Sequence, residues 1–376
     1  MNTSLMTTDH NTATPHIRLN MIVKNEANAI LRCLESVKPY IDSWVIVDTG
    51  STDGTQTIIQ YYMQAIPGQL FERPWKNFGH NRTEALHLAL TDTLPHADYL
   101  LFIDADETLI IDHGVSLGNL NELAYYFTFL HGSLSYQRNA LVSTKLNWYW
   151  KGVLHEYLDS PTPHQWHQIS GIYVISRHAE GARGKDPKTY LKDIELLKQG
   201  LNDEPDNLRY QFYLAQSYRD AELFELAYQT YHQRAQSGGW EEERWVAQLW
   251  AARMAQRLNF PAEQVFTAYL QTWIVRQQRA EPLYELARYY RLNKMYDLAC
   301  YFAMQAIAIP QPDDILFVEA DVYQWRALDE LSVSATYCPV YKEAGYKAML
   351  KLIEQQKFPD SHKNRIIENS RLYFKS

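Results

Sequence analysis

The segment Phe102-Ile103-Asp104-Ala105-Asp106-Glu107 puts acids at alternate positions behind the apolar run Tyr99–Ile103. On an extended segment leaving a sheet edge, Asp104 and Asp106 would point the same way. Hard oxygen ligands of this kind hold Mg²⁺ or Mn²⁺ against a diphosphate. An EF-hand is excluded, because Leu109 stands at the sixth position from Asp104, where Gly is required. Two acids at this spacing also mark ordinary solvated loops, so their weight depends on what else shares the edge.

Three further segments bring chemistry of their own. Lys24-Asn25-Glu26 follows the apolar run Ile17–Val23, and Asp48-Thr49-Gly50-Ser51-Thr52-Asp53-Gly54-Thr55 follows Trp44–Val47. Acids and hydroxyls spaced by glycines suit hydrogen bonding to a base or ribose; equally, Asn25 or Asp53 suits the cap of the helix that comes next. Neither GxGxxG nor GxxxxGK[ST] occurs. In Trp148-Tyr149-Trp150-Lys151-Gly152-Val153-Leu154-His155-Glu156-Tyr157, neighbours on a strand would face opposite sides. His155 is then available to a metal and Glu156 to act as general base. HExxH is excluded by Asp159, and a single His-Glu pair is also common surface decoration.

These residues need a sheet to position them. Up to Ile103, short apolar runs alternate with amphipathic stretches (Ala27–Lys38, Thr55–Ala65, Gly79–Leu90), the pattern of a parallel sheet with crossover helices in a Rossmann-like α/β layer. Polar residues at the carboxyl edge of such a sheet face its ligand crevice. From Glu122 to Arg177 the segments Leu123–Leu130, Leu134–Val142, Asn147–Leu158 and Ile169–Ser176 are β-rich and aromatic, and predict mixed or antiparallel strands.

After Gly181-Ala182-Arg183-Gly184 the period becomes helical. An offset of 72 pairs Leu214 with Leu286, Ala215 with Ala287, Tyr218 with Tyr290, Arg219 with Arg291, Phe224 with Tyr296, Leu226 with Leu298 and Ala227 with Ala299. Ala251 and Met254 fall halfway, so the unit is about 36 residues, near the tetratricopeptide helix hairpin. The predicted organisation is a disordered leader over 1–15, an α/β domain over 16–182 and a helical-hairpin domain over 183–376.

Together the four segments resemble, in order and spacing, family 2 glycosyltransferases of the GT-A fold. The likeness covers residues 17 to about 180 and includes the stretch Phe71–Arg82. The helical remainder resembles the tetratricopeptide-like tail behind this domain in one bacterial and viral subgroup, with His178–Lys185 like its junction. The resemblance implies that Asn25, Glu26, Asp48 and Asp53 line a nucleotide pocket and that Asp104 approaches the ribose or sugar. By the same likeness Asp106 ligates Mn²⁺ or Mg²⁺, His155 completes the metal shell, Arg82 contacts the diphosphate or nucleobase and Glu156 deprotonates the acceptor. The implied reaction is inverting transfer from a nucleotide sugar, with uridine diphosphate the expected carrier, to a peptide, protein or glycan.

Composition narrows the alternatives. With 46% apolar and 21% charged residues the 376-residue chain is globular, and a net charge of −8 without a basic run argues against nucleic acid as partner. Residues 1–180 hold 11 Lys and Arg against 18 Asp and Glu, a net −7, and 11 of the 13 histidines. Acidic and imidazole chemistry is thus concentrated there. No apolar stretch is long enough for a membrane span, and three scattered cysteines fit a reducing, cytoplasmic setting. Two other readings compete. One is a non-catalytic tetratricopeptide scaffold with a vestigial nucleotide domain, in which the tail binds peptides or partner helices; in the enzyme reading the same tail could form a homodimer. The other is a nucleotidyltransferase, against which stands the absence of glycine in Lys24-Asn25-Glu26. Trp75, Trp148 and Trp150 are candidates for stacking on sugar; Trp240, Trp245, Trp250, Trp273 and Trp325 are expected in helical packing.

Overall fold

The computed structural model describes residues 14–91, 93–132 and 134–373. The leader expected over 1–15 therefore lies, as far as residue 13, outside the described residues. The chain divides into two compact units, Met1–Phe129 with Arg138–Asp186, and Leu130–Gln137 with Pro187–Ser376.

In the first unit β1 (Ile17–Val23), α1 (Ile30–Val37), β2 (Ser43–Asp48), α2 (Thr55–Met63), β3 (Gly68–Glu72), α3 (Phe78–Ala89) and β4 (Tyr99–Phe102) alternate as the apolar periods require. After them come β5 (Glu107–Ile111), β6 (Ala124–His131), β7 (Leu134–Ser143), β8 (Tyr149–Lys151), β9 (Tyr157–Asp159) and β10 (His167–Ser176). The main sheet runs β3-β2-β1-β4-β7-β6-β10-β5. β1 is parallel to β2 and β4, β2 is parallel to β3, and β4 pairs antiparallel with β7. Val23 lies opposite Asp48, and Asp48 opposite Glu72, so the carboxyl ends of the first three strands are level. The order reverses between β1 and β4, and α/β sheets open a ligand crevice at such a switch point.

Two polar side chains inside the sheet tie α3 to it. Buried Arg18 donates to Ser43 Oγ (2.9 Å) and to the carbonyls of Ala89 and Pro95, covering the last turn of α3. Asn20 Nδ2 donates to Ala85 O at 2.9 Å. These bonds satisfy groups that burial would otherwise leave costly.

Two expected local geometries differ. The Asp104–Glu107 segment is a turn closed by the Glu107 N–H to Asp104 C=O bond (3.0 Å), because β5 folds straight back from β4; it is not extended. Asn147–Leu158 is not one strand either: β8 and β9 form a separate two-stranded hairpin, with His155 and Glu156 in its loop. Gly152 at φ +115° and His155 at φ +50° make that loop turn sharply.

The second unit is built of helix hairpins. After the short α4 (Ala182–Lys185) of the first unit come α5 (Thr189–Asp203), α6 (Leu208–Asp220), α7 (Phe224–Gln236), α8 (Glu241–Arg257), α9 (Ala262–Val275), α10 (Glu281–Leu292) and α11 (Tyr296–Ile307). They are followed by β11 (Val318–Glu319), which pairs with Leu134 and Ser135, and by α12 (Ala327–Ser334), α13 (Lys342–Gln355) and α14 (Asp360–Ser370). Three of the seven repeat pairs lie in its core, Leu214 with Leu286, Ala215 with Ala287 and Ala227 with Ala299, whereas the paired Leu226 and Leu298 are exposed. Trp245 and Trp325 are buried as expected, whereas Trp240 is 40% exposed at the start of α8. No helix among the described residues is long and apolar enough to cross a membrane.

One turn recurs. Glu222, Asn259 and Lys294, which follow α6, α8 and α10, have φ of 60°, 56° and 61°. In each case the next residue donates back to the helix: Leu223 to Tyr218 O (2.9 Å), Phe260 to Ala255 O (3.0 Å) and Met295 to Tyr290 O (2.9 Å). This is the Schellman closure, whose left-handed position favours glycine. A side chain there costs about 1 kcal/mol or slightly more. Glu222→Gly and Lys294→Gly should each stabilise the protein by about 0.5 kcal/mol in chemical denaturation, once the extra freedom of unfolded glycine is subtracted. Loss of stability in both would refute the left-handed turn.

Candidate functional site

At the switch point the loops after β1 and β2 are laced together. Asn25 N–H donates to Ser51 Oγ (2.8 Å), and Asn25 Oδ1 accepts from Thr52 N–H (2.8 Å). Glu26 N–H donates to Thr55 Oγ1 (2.8 Å), and Ala27 N–H to Asp53 Oδ2 (3.0 Å). Asn25, at φ +57°, is therefore a loop clamp and not the cap of α1, whose N-terminal Ala29 makes no side-chain cap. Asp53 also accepts from Thr55 N–H and Oγ1. Burial opposes its charge, yet these donors outweigh it and hold the carboxyl below its usual range.

Two acceptors in these loops have no donor among the described residues. Asp48 is fully buried; its Oδ1 takes Gly50 and Ser51 N–H at 2.8 and 2.7 Å, and its Oδ2 has no hydrogen-bond partner. Glu26 Oε1 accepts from Ala182 N–H (3.2 Å), and its buried Oε2 has no partner. Burial pushes Glu26 up to about 7; the Ala182 bond opposes this, and Asp106, Asp104 and Asp53 reinforce it. Buried polar atoms left without partners are uncommon in native proteins, and each calls for an explanation.

The turn after β4 holds the other acids. Arg82, on α3, donates from Nη2 to Asp104 Oδ1 (2.5 Å) and from Nε to Glu156 Oε1 (2.5 Å), with its guanidinium 5.1 Å from the Trp150 ring centre. Burial disfavours the Asp104 charge, but Arg82 and Arg138 outweigh it and hold that carboxyl well below the usual carboxylate range. Arg82 in turn gains basicity from Asp104 and Glu156 despite its own burial. It was expected to reach a diphosphate or nucleobase; instead it joins two candidate site carboxylates.

The reach of Arg82 depends on close backbone approach. Asn77 caps α3 by accepting from His80 N–H (2.8 Å), and buried Asn81 fixes the preceding loop through Lys76 N–H and Pro74 O (both 2.9 Å). A Cβ on Gly79 would stand 2.3 Å from Gly152 O, so glycine is required where α3 touches the loop that carries Glu156.

Asp106 is outside the arginine pairs. Burial and the Asp104 charge raise its pKa, and His178 opposes this from 3.8 Å, Nδ1 to Oδ2. The imidazole beside Asp106 is thus that of His178, whereas His155, the expected metal partner, is exposed on its loop. The strand after which His178 falls, β10, runs antiparallel to β5 directly behind the acidic turn, and that pairing brings its imidazole to Asp106. Arg177 N–H donates to Asp106 O (3.2 Å), and a Cβ on Gly181 would meet Asp106 Oδ2 at 2.5 Å. No group of three His, Cys, Asp or Glu able to hold a metal occurs among the described residues. A hard cation that bridges a diphosphate takes only one or two carboxylates and completes its shell with phosphate and water. Asp106 and His178, at the edge of an under-neutralised acid cluster, suit that mode.

Trp148 is buried, donates its indole N–H to Ser143 O (2.8 Å) and packs on His164 and Trp166; it is core and not a sugar platform. Trp150 packs edge-on against Phe102, and Trp75 is 38% exposed beside Phe78.

Residues 20–113 match the family described as Glycosyl transferase family 2. A TPR repeat-containing protein of Synechococcus elongatus is 35% identical over 101 residues, 27% of this chain and 23% of that protein. An uncharacterized glycosyltransferase of Rickettsia felis is 34% identical over 89 residues, covering 24% and 28%. The SPbeta prophage-derived glycosyltransferase SunS of Bacillus subtilis is 33% identical over 94 residues, covering 25% and 20%. The chain thus spans less than a third of the length of these relatives. The stretch over residues 20–113 is thus a glycosyl transferase family 2 domain by its match, and a tail of helix hairpins follows it in the chain.

Proposed function

We propose that this protein transfers a sugar from a nucleoside diphosphate carrier, uridine diphosphate first among them, to a peptide, protein or glycan, with inversion at the anomeric carbon. The observation that carries the reading is the pair of buried acceptors without donors, Asp48 Oδ2 and Glu26 Oε2, on the two laced loops at the switch point. An ionised carboxylate oxygen accepts, so a ligand that brings N–H or O–H complements it. A uracil imide N–H and ribose hydroxyls supply these. The match to relatives named as glycosyltransferases supports the same class.

In this reading Asn25 and Asp53 keep the pocket loops in register, and Asp104 meets the ribose or sugar. Asp106 and His178 would hold a Mn²⁺ or Mg²⁺ ion. When bound, that ion neutralises charge developing on the diphosphate leaving group, which an acidic domain cannot do by itself. Glu156 accepts the acceptor's proton, and Arg82 fixes its direction. A base on the face opposite the diphosphate produces inversion; retained anomeric configuration in the product, read by proton NMR, would overturn that part.

Calorimetry with uridine diphosphate and Mn²⁺ tests the donor site. Asp48→Asn should weaken binding about 10- to 100-fold, the cost of an unmatched buried polar group. Asp106→Asn or chelation with EDTA should abolish the dependence on Mn²⁺. Glu156→Gln should leave nucleotide binding near wild type while turnover falls on the order of 100-fold or more. Unaltered binding in the Asp48 and Asp106 variants would defeat the reading.

The same pocket predicts a conflict between stability and function. Glu26 titrates at about 7 in the folded protein against an ordinary 4.5. Its charge therefore costs nothing below about pH 4.5, and the cost grows through pH 7 and is full above it. Glu26→Gln, which keeps an acceptor for Ala182, should raise the ligand-free melting temperature at pH 8, leave it nearly unchanged at pH 4.5, and weaken donor binding. An equal gain at both pH values would show that the Glu26 charge is not strained.

A further inference from the structure

Arg138 has no role in the reading above, yet its position is unusual. It is the only Lys or Arg on β6 or β7, and none occurs between Arg82 and Arg138. Its guanidinium lies 3.9 Å from the centre of the Phe129 ring, a fully buried side chain on the neighbouring strand. From there it reaches both ends of the acidic turn: Nη1 is 3.2 Å from Asp104 Oδ2, and Nη2 is 2.6 Å from Glu107 Oε2.

The turn is closed twice. Glu107 N–H donates to Asp104 C=O (3.0 Å), and Asp104 N–H donates to Glu107 Oε2 (2.8 Å). The oxygen that accepts from Asp104 N–H is thus the one that Arg138 grips. Asp106 stands between the two clamped residues, so the direction of its carboxylate follows from the turn. With Arg82 on the other oxygen of Asp104, the carboxylate has one guanidinium on each side. The chain Glu156–Arg82–Asp104–Arg138–Glu107 alternates in sign throughout.

We infer that Arg138 is a positioning residue: by bridging Asp104 and Glu107 from its seat on Phe129 it fixes the turn that aims Asp106 at the donor's cation and diphosphate. A planar fork with donors on separate nitrogens holds two carboxylates in fixed directions, which the single nitrogen of an ammonium does less well. Partners of this kind, one step behind a ligand, alter metal affinity about 10- to 100-fold when lost. The part that concerns Asp106 and the donor rests on the function proposed above; the clamping of the turn does not.

The test has two arms on the full chain. Residue-resolved hydrogen exchange compares Arg138→Met, which keeps an apolar stem over Phe129, with wild type and with Arg138→Lys. The amides of Asp104 and Glu107 should exchange on the order of 10-fold faster in the Met variant and less so in the Lys variant, while those of β1 do not change. Calorimetry with uridine diphosphate and Mn²⁺ should show affinity about 10- to 100-fold lower in the Met variant and between the two in the Lys variant. Should Arg138→Met not fold, the Lys variant decides by the same readouts. Unchanged exchange at both turn amides overturns the inference, and so does wild-type nucleotide affinity in a variant whose turn has loosened. If wild type itself binds no nucleotide, the donor reading falls and the exchange arm still decides whether Arg138 clamps the turn.

Discussion

The first unit must hold Glu107 buried, Glu156 nearly so and Asp104 half-buried, and it does so only because two arginines are interleaved with them. Removing one member of a buried pair leaves a charge that costs about 3 to 5 kcal/mol, so none of these residues can change without the others feeling it. Both guanidiniums lie over aromatic rings, Arg82 over Trp150 and Arg138 over Phe129, which limits the freedom each must lose. The acids at the site thus fall into two sets. Asp104 and Glu156 are paired with arginine, as is Glu107 with Arg138 although burial pushes it up to about 7, whereas Asp106 and Glu26 are buried among like charges and have raised pKa values. A protein that needed only to be stable would neutralise both sets. Leaving the second set short of cations suits the pocket to something positive and to N–H and O–H donors, as the proposed function requires.

Much of this was legible in the sequence, because the relevant signals are local. Apolar runs in β1, β2 and β4 followed at once by polar residues announced the sheet edge, and in parallel pairing level strand ends bring those residues together. The acidic segment, the Asp48–Thr55 loop and Glu156 all fall in one unit around α3 and the switch point. What escaped were contacts set by chain reversal. Nothing in Asp104-Ala105-Asp106-Glu107 states that β5 folds back at once, and an extended segment and a turn have the same composition. His178 escaped for the same reason, since it reaches Asp106 only through antiparallel pairing of β10 with β5, two strands far apart in the chain. Arg138 left a trace that could have been used: one arginine in a long stretch with eight acids and no other Lys or Arg is seldom placed for solubility.

The helical unit shows the opposite balance. Its register could be read from seven matched positions because each hairpin repeats the same packing problem, with small alanines where helices cross and large side chains between them. Repetition did not fix the turn chemistry. Three hairpins use the same left-handed closure with Glu, Asn and Lys where glycine fits best. Hydrogen bonding to the helix end and the apolar residue that follows, Leu223, Phe260 or Met295, evidently suffice to hold it.

Arg82 can bridge two carboxylates only if α3 lies against the loop that carries Glu156, and that approach requires Gly79 beside Gly152. The arginine supplies the attraction and the glycine supplies the room. Either one alone would fail: a Cβ at Gly79 would hold the loop away, and without the guanidinium the acids at 104 and 156 would repel one another. Gly79, three residues from Arg82 on one helix, is therefore as much a part of the site's electrostatics as any charged residue in it. Its contribution is distance, on which Coulomb interactions in a partly buried setting depend most.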